Sequence, residues 1–232
     1  MERRGVEVGE HLDAATLVDV GKVQRGQIES FCSQRLSASI HRGRQSAHYN
    51  PGMRLFVGIP LAETTIDELR AASARLRSSA GGLRWAPPES LHITLQFLGN
   101  TTQEQYACIV PRLRALASPP VSICLEAIDC FDRAGVLIAR VRLTPELVLL
   151  QQRVTTATQP CGFVPEARPY HPHITLARNK SQRCDWRELR AKIQHQPNFT
   201  RFAASEFLLY ESFLSSAGSR YEVRERFLLG QG

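Results

Sequence analysis

The chain has 232 residues, of which 43% are hydrophobic and 22% are charged, and its formal net charge is +7. This composition is that of a globular protein, and no apolar run reaches the ~18–20 residues that a membrane-spanning helix needs. The N-terminal residues lack the continuous apolar core of a secretory signal, so we expect a cytoplasmic protein. The basic excess suits a polyanionic partner such as nucleic acid, although most basic proteins of this size owe their charge to a solvated surface.

Residues 1–52 differ in composition from the remainder and are rich in Arg, Gln, Ser and Gly. No acidic residue occurs between Ser30 and Gly52, and no sustained apolar face indicates a stable helix. We therefore expect a disordered basic extension, which is either an arm that contacts RNA or a tail without function. A single folded domain is expected over residues 53–232. Met53 is a candidate for the true start of translation, which the intact mass of the natural protein would test.

From Met53 onward, apolar periodicity and capping residues predict alternating strands and helices. Helices are predicted over residues 61–82, about 103–116, 144–159 and 185–194. Pro111 is expected to kink or break the second helix, Thr144 to cap the third, and Asp185 to cap the fourth. Strands are predicted over residues 53–60, 83–90 (with a turn), 91–98, 121–131, 135–143, 171–178, 202–215 and 219–229, the last two forming a hairpin.

The order of these elements repeats. Each half of the domain contains a Pro-containing turn, then a His-x-Thr strand, then a helix and further strands, which indicates an internal duplication. We predict an α+β fold with two pseudo-symmetric lobes, each an antiparallel sheet flanked by helices, and a cleft between them.

The six cysteines include no Cys-x-x-Cys pair. Because no secretory signal is visible, we do not expect a disulfide framework, and the spacing is not that of a zinc site. Cys108 and Cys124 lie in apolar patterns and are expected to be small core residues.

The tetrapeptide His-Ile-Thr-Leu occurs twice, at residues 92–95 and 173–176. Alternate side chains of a strand share a face, so His and Thr should point to one side and Ile and Leu to the other. The apolar sides are expected to pack on helices, and the polar sides of two related lobes would meet across a cleft. One His-x-Thr means little, but a repeated four-residue string on two predicted strands favours function over chance.

Two imidazoles and two hydroxyls that face each other suit phosphodiester chemistry. With an unperturbed pKa near ~6.5, one imidazole can act as base and the other as acid. Threonine hydroxyls and an arginine can donate hydrogen bonds to phosphoryl oxygens as charge develops. This chemistry needs no metal ion or other cofactor. A zinc site built on His171 and His173 is an alternative, but no Asp or Glu lies near either motif to complete it.

The strings LHITLQFLG and RPYHPHITLAR, together with RLFVGIP and GGLRWAPPES, resemble the 2H phosphoesterase superfamily. Within it they are similar to the bacterial and archaeal RNA 2',3'-cyclic phosphodiesterases, historically called 2'-5' RNA ligases. The resemblance covers Met53 to about Leu229 and implies the bilobal 2H phosphoesterase fold. It also implies a substrate, RNA with a 2',3'-cyclic phosphate end, and a product with a 2'-phosphate. A monomer is the default expectation.

The resemblance implies a role for each motif residue. His92 would be the proton donor to the leaving 3' oxygen, and His173 the proton acceptor that activates water. The remaining matches are two phosphate-binding hydroxyls, a phosphate-binding guanidinium and a nucleotide-lining aromatic ring: Thr94, Thr175, Arg178 and Phe97.

Strand parity conflicts with two of these roles. Phe97 and Arg178 each lie five residues beyond their histidine, so in a regular strand they would point away from the cleft. They can line it only if the strand ends or bulges before them.

Two other functions remain open at this point. The same site could make 2'-5' linkages as an RNA ligase, with a 5'-hydroxyl in place of water, although water at ~55 M favours hydrolysis. A nucleotide- or RNA-binding module without turnover would use the same pocket and charge, but it would not require two titrating groups.

Overall fold

The computed structural model of the chain describes residues 52–78, 81–131, 134–179, 184–193, 198–214 and 218–230. Apart from Gly52, the expected basic extension lies outside these residues. No helix in the described ranges is both long enough and apolar enough to cross a membrane.

The described residues form ten strands and four α-helices. The helices are α1 (Glu63–Arg77), α2 (Gln103–Arg114), α3 (Pro145–Thr158) and α4 (Trp186–Ile193). The strands are β1 (Met53–Pro60), β2 (Leu83–Trp85), β3 (His92–Thr101), β4 (Val121–Ile123), β5 (Leu125–Phe131), β6 (Val136–Val141), β7 (His173–Asn179), β8 (Phe202–Ala204), β9 (Glu206–Leu214) and β10 (Ser219–Leu228).

Two antiparallel four-stranded sheets form the two lobes. The first, sheet A, has the order β10-β9-β1-β3, and the second, sheet B, has the order β2-β7-β6-β5. Strands β4 and β8 form a separate two-stranded sheet. The α+β bilobal prediction is therefore confirmed, with one His-x-Thr strand in each sheet.

The two sheets are related by a common core of three strands. In sheet A the first motif strand, β3, pairs with β1, which pairs with β9. In sheet B the second motif strand, β7, pairs with β6, which pairs with β5. Strand β2 breaks the correspondence, because it covers the outer edge of β7 whereas β3 is the edge strand of sheet A.

The helices cover the apolar sides of the sheets. Helix α2 packs against α3 and β10, and α3 packs against β3; α4 packs against β5 and beside α1. One continuous hydrophobic core runs through both lobes. It includes Leu69, Ala72 and Leu76 of α1, as the helical periodicity predicts, whereas Ile66 is only half-buried.

Both predicted helix caps are confirmed. The Thr144 hydroxyl accepts a hydrogen bond from the backbone N–H of Leu147, 3.3 Å away. The Asp185 carboxylate accepts from the backbone N–H groups of Arg187 and Glu188. Such caps satisfy N–H groups that have no partner inside the helix, which is why the helices begin where the sequence predicts.

Two details of the predicted elements differ in the structure: of the kink or break expected at Pro111 the break does not occur, and one predicted strand is divided. Helix α2 continues through Pro111 without a break and ends at Arg114. Near a C-terminus, the missing proline N–H removes only one bond of the last turn, and this loss does not stop the helix. The predicted strand at residues 121–131 is divided at Cys124, because β4 pairs with β8 whereas β5 pairs with β6.

The expectation about the cysteines is also wrong. Cys108 on α2 and Cys161, in the 3-10 turn after α3, form a disulfide bond with their Cα atoms 5.8 Å apart. The two residues are separated by 53 positions in sequence, and the packing of α2 on α3 brings them together. Cys124 is a free, half-buried thiol and not a core residue.

Candidate active site

The first motif lies at the start of β3 and alternates as predicted. Ile93 and Leu95 are buried in the core, at 0% and 3% exposure. His92 and Thr94 are half-buried on the opposite face. The apolar pair thus fixes the strand on the core side and holds the imidazole and the hydroxyl on the side of the cleft.

The second motif repeats this arrangement on β7. Ile174 and Leu176 are buried at 0% and 2% exposure, and His173 and Thr175 are half-buried on the other face. Strands β3 and β7 contact each other across the two lobes. The charge of His173 acts on His92, and that of Arg178 acts on both imidazoles. The structure therefore brings the two histidines and Arg178 into one site.

Each motif strand contains a β-bulge at the same position after its histidine. In β3, Thr94 lies opposite Gly58 and Gln96 opposite Val57, so one residue of β3 is extra. In β7, Thr175 lies opposite Ile138 and Ala177 opposite Leu137, so one residue is extra there too. An extra residue reverses the parity of everything that follows it.

The bulges return Phe97 and Arg178 to the faces that carry the histidines. Phe97 is 62% exposed, and its ring centroid lies 6.1 Å from that of Phe56, which in turn lies 4.6 Å from the imidazole of His92. Arg178 is exposed. Strand parity required a bulge before each of these two residues, and both lobes contain one.

A backbone carbonyl two residues upstream anchors each imidazole. Nδ1 of His92 lies 2.7 Å from the carbonyl oxygen of Ser90, and Nδ1 of His173 lies 2.9 Å from that of His171. Because a carbonyl can only accept, Nδ1 carries the hydrogen in both bonds. In a neutral ring Nε2 then holds the lone pair and is the nitrogen that can exchange a proton with a ligand.

Burial lowers the pKa of both imidazoles. The pKa of His92 falls to about 4, mainly because desolvation disfavours the charged ring, with smaller contributions from the charges of His173 and Arg178. Desolvation also lowers the pKa of His173, with help from Arg178 and His171. Both rings are therefore neutral near pH 7 in the ligand-free site, and an anion bound between them would favour protonation.

An aromatic cluster surrounds His92 in sheet A and is not predicted by the motif. It consists of Phe56, Tyr210 and Tyr221, with centroids 4.6, 5.7 and 5.1 Å from the imidazole. Phe56 and Tyr210 are stacked at 4.9 Å. Phe56 alternates with the core residues Leu55 and Val57 in the string RLFVGIP, and this alternation is the signal that could have placed it on the cleft face.

The surroundings of His173 in sheet B are different. Among the described residues, one aromatic ring, that of Phe131, lies edge-on to its imidazole at 6.1 Å. Arg140 lies opposite His173 in the register of β6, but its guanidinium is within 3.7 Å of Asp129 and 3.9 Å of Glu126. On the other edge of β7, Arg84 of β2 lies opposite Arg178. The site thus has an aromatic side in sheet A and, in sheet B, a cationic side formed by Arg84 and Arg178.

Two further residues adjust the position of the first motif. A Cβ atom at Gly58 would lie 2.9 Å from the carbonyl oxygen of Ile93 and 3.5 Å from Cδ2 of His92, so the absence of a side chain leaves room for the imidazole. The hydroxyl of the half-buried Tyr170 donates to the carbonyl oxygen of Thr94 at 3.0 Å. This bond joins the segment that leads into β7 to the motif strand of the other lobe.

The described residues contain no group of three or more His, Cys, Asp and Glu side chains placed to hold a metal ion.

Residues 59–212 match the family model described as the 2'-5' RNA ligase superfamily. The RNA 2',3'-cyclic phosphodiesterase of Archaeoglobus fulgidus is 28% identical over 173 residues, which is 73% of this chain and 97% of the relative. The protein of the same name from Bacillus subtilis is 34% identical over 128 residues, covering 53% and 69%. Among solved structures, Escherichia coli LigT complexed with 3'-AMP has a TM-score of 0.66 at 26% identity, covering 78% of this chain and 99% of that one. For TT0787 of Thermus thermophilus the TM-score is 0.64 at 26% identity, covering 78% and 100%.

Proposed function

Because the chain belongs to the 2'-5' RNA ligase superfamily, we propose that it hydrolyses terminal 2',3'-cyclic phosphates of RNA to 2'-phosphates. The names of its relatives support the cyclic phosphodiester as substrate. The observation that carries the mechanism is the pair of His-Thr strands, one in each lobe, with both imidazoles anchored through Nδ1. Such a pair offers one proton acceptor and one proton donor to a single phosphorus atom.

In the proposed reaction, water attacks the phosphorus while Nε2 of His173 takes its proton. Nε2 of His92 gives a proton to the 3' oxygen as the bond from that oxygen to phosphorus breaks. One P–O bond forms and one breaks, and the product has a 2'-phosphate and a free 3'-hydroxyl. After turnover His173 carries the proton taken from water and the proton of His92 is on the 3' oxygen, so exchange with solvent restores both rings.

The anionic substrate supplies the charge that this proton arrangement needs. Burial keeps both imidazoles neutral in the ligand-free site. A bound phosphodiester anion raises the pKa of each neighbouring imidazole, because it stabilises the charged ring. His92 then carries its second proton only when there is a leaving oxygen to receive it.

The hydroxyls of Thr94 and Thr175 and the guanidinium of Arg178 would stabilise the charge that develops on the non-bridging oxygens. Arg178 is suited to this task because its charge acts on both histidines. Charge-assisted bonds of this kind are about twice as strong as neutral ones. On the other side, the exposed ring of Phe97 would pack against the terminal base.

Incubation with an oligoribonucleotide that ends in a 2',3'-cyclic phosphate, in EDTA, tests the proposal. We expect turnover in EDTA, because the two imidazoles supply both proton transfers without a metal ion. The product should carry a 2'-phosphate, because His92 gives its proton to the 3' oxygen. His92→Gln and His173→Gln should each lower kcat about 10²–10⁴-fold at an unchanged melting temperature. His195→Gln, at a histidine to which the sequence assigns no role, serves as the matched control.

Each other result has a definite meaning. A 3'-phosphate product would mean that the 2' oxygen is the leaving group, and it would overturn the assigned direction of cleavage. Turnover that stops in EDTA and returns with a divalent cation would overturn the metal-independent mechanism. Joining of added 5'-hydroxyl RNA in preference to hydrolysis would identify a ligase, and RNA binding without any product would identify a binding module.

A further inference from the structure

Strand β2 is the element of sheet B that has no counterpart beside the first motif. It covers the edge of β7, and its three residues lie opposite Ala177, Arg178 and Asn179. Leu83 and Trp85 pack against the hydrophobic core. Because side chains alternate along a strand, Arg84 between them lies on the cleft face, directly beside Arg178.

The guanidinium of Arg84 is held in place but has no anionic partner in the described part of the chain. Its Nη1 atom is enclosed and makes no hydrogen bond among the described residues. It lies against the start of β10, where a Cβ atom on Gly218 would be 3.6 Å from it. The residue as a whole is half-buried, so it is not fully enclosed by the protein.

The Cα atoms of Arg84 and Arg178 are partners in the pairing of β2 with β7, so neighbouring strands carry two cationic side chains on the same face. Since Arg84 has no carboxylate partner among the described residues, its charge can attract an anion that binds in the cleft. A phosphate is an anion that a guanidinium can bind through two parallel hydrogen bonds, and it is the anion that an RNA substrate supplies.

The position of Arg84 determines which phosphate this is. Arg178 acts on both histidines and is therefore assigned to the reacting phosphate. Arg84 is one strand further out, on the side of β7 away from β6. In RNA that ends in a cyclic phosphate, the next phosphate is the diester that links the terminal nucleotide to its 5' neighbour.

We propose that Arg84 binds this second phosphate, so that the site selects an RNA oligonucleotide over a single nucleoside cyclic phosphate. The inference rests on the proposed function and specifies its substrate class. It also gives the RNA a direction in a site whose core is pseudo-symmetric, because β2 and Arg84 occur in only one lobe. The terminal base lies on the aromatic side, and the 5' chain leaves over the cationic side.

The test compares two substrates: adenosine 2',3'-cyclic phosphate, which has no second phosphate, and the dinucleotide ApA 2',3'-cyclic phosphate, which has one. Arg84→Gln should lower kcat/KM for the dinucleotide about 10-fold or more and change that for the mononucleotide less than 2-fold. Arg84→Lys keeps the charge but cannot make two parallel hydrogen bonds, so its kcat/KM for the dinucleotide should lie between those of wild type and Arg84→Gln. The matched control is Arg112→Gln, at an exposed arginine on α2 away from the site.

Salt dependence provides a readout in the unmodified protein. For wild type, log kcat/KM should fall more steeply with log salt for the dinucleotide than for the mononucleotide, because salt screens the contact with the additional phosphate. This difference should vanish in Arg84→Gln. Equal slopes in wild type would overturn the proposal even if the variant fails to fold.

Binding of a dinucleotide with a 2'-phosphate end separates this inference from the proposed function. If wild type shows no turnover but Arg84→Gln binds this ligand about 10-fold more weakly than Arg112→Gln, the proposed function fails and the Arg84 site stands. If wild type turns over both substrates and Arg84→Gln behaves as Arg112→Gln does, the Arg84 site fails alone.

An equal loss of kcat/KM on mononucleotide and dinucleotide in Arg84→Gln would also overturn the Arg84 site, because Arg84 would then act on the reacting phosphate or on the fold. Absence of both turnover and binding would overturn both.

Discussion

The imidazole of His92 is kept neutral by its surroundings. It lies among three aromatic rings and donates from Nδ1 to a carbonyl, and desolvation lowers its pKa to about 4. Since this folded-state value lies below the ordinary one of ~6.5, the unfolded chain binds the proton more readily. The stability that depends on neutral His92 is therefore fully present above about pH 6.5 and is lost as the pH falls toward 4.

The lowered pKa values predict the pH dependence of the reaction. The profile of kcat/KM reports the free enzyme, in which both imidazoles titrate below ~6.5. The active form has one of the two imidazoles, His92 or His173, in its charged state. The fraction of enzyme in this form should fall as the pH rises above this value, so kcat/KM should decline from pH 6.5 to 8.5. The profile of kcat should extend to higher pH, because bound phosphate raises both pKa values. Rates measured from pH 4.5 to 9 at constant ionic strength check this. A kcat/KM that rises between pH 6.5 and 8 would contradict it.

Among the elements, the two bulged strands carry the site. The sequence predicts β3 and β7, their buried faces and the side on which the histidines lie, because period-2 alternation determines all three. It does not predict where a residue is inserted into the pairing, since a bulge depends on the partner strand as much as on its own residues. For this reason strand parity alone places Phe97 and Arg178 away from the cleft. The bulged pairing of β3 with β1 and of β7 with β6 returns them to it.

The close approach of β1 to the first motif predicts the effect of a single methyl group. In Gly58→Ala the added Cβ would lie 2.9 Å from the Ile93 carbonyl oxygen, so β3 must shift and carry His92 with it. We expect kcat/KM to fall about 10–100-fold, since misplacement of a catalytic group by about 1 Å has such an effect. The control is Gly81→Ala, whose Cβ would meet nothing within 4 Å.

Activity of the two glycine variants should be measured well below their melting temperatures, so that unfolding does not contribute. Gly81→Ala should stay within about 2-fold of wild type. Equal activity of Gly58→Ala and Gly81→Ala would show that the strand tolerates the methyl group, and Gly58 would then have no role in placing the imidazole.

At the scale of the whole molecule, the features that join distant parts of the chain are those that the sequence does not reveal. The bond from the Tyr170 hydroxyl to the Thr94 carbonyl spans 76 positions, and the Cys108–Cys161 disulfide spans 53. Neither has a local pattern, because each depends on how lobes or helices pack. The repeated tetrapeptide does predict the two-lobed architecture, because each copy has the alternation of a strand with one apolar and one polar side.

The disulfide predicts how strongly the fold depends on oxidation. It lies on the helical side of sheet A, where it joins α2 to the end of α3, and so away from the face that carries His92. Closing a 53-residue segment restricts the unfolded chain, and such a constraint stabilises a protein by ~2–4 kcal/mol. Reduction, or the double change Cys108→Ala with Cys161→Ala, should lower the melting temperature by about 10 °C. Activity at 25 °C should change little, because the cleft faces of β3 and β7 are untouched.

Thiol titration of the denatured protein would confirm that the bond has formed, and Cys124→Ala controls for loss of a cysteine outside it. Equal melting temperatures for the oxidised and reduced protein would show that the packing of α2 on α3 holds the segment without the bond. A large loss of activity on reduction, with the fold intact, would instead mean that α3 transmits its position to β3, since the Thr158 hydroxyl donates to the side-chain oxygen of Gln96 at the bulge. The disulfide would then control the geometry of the first motif as well as the stability of the lobe.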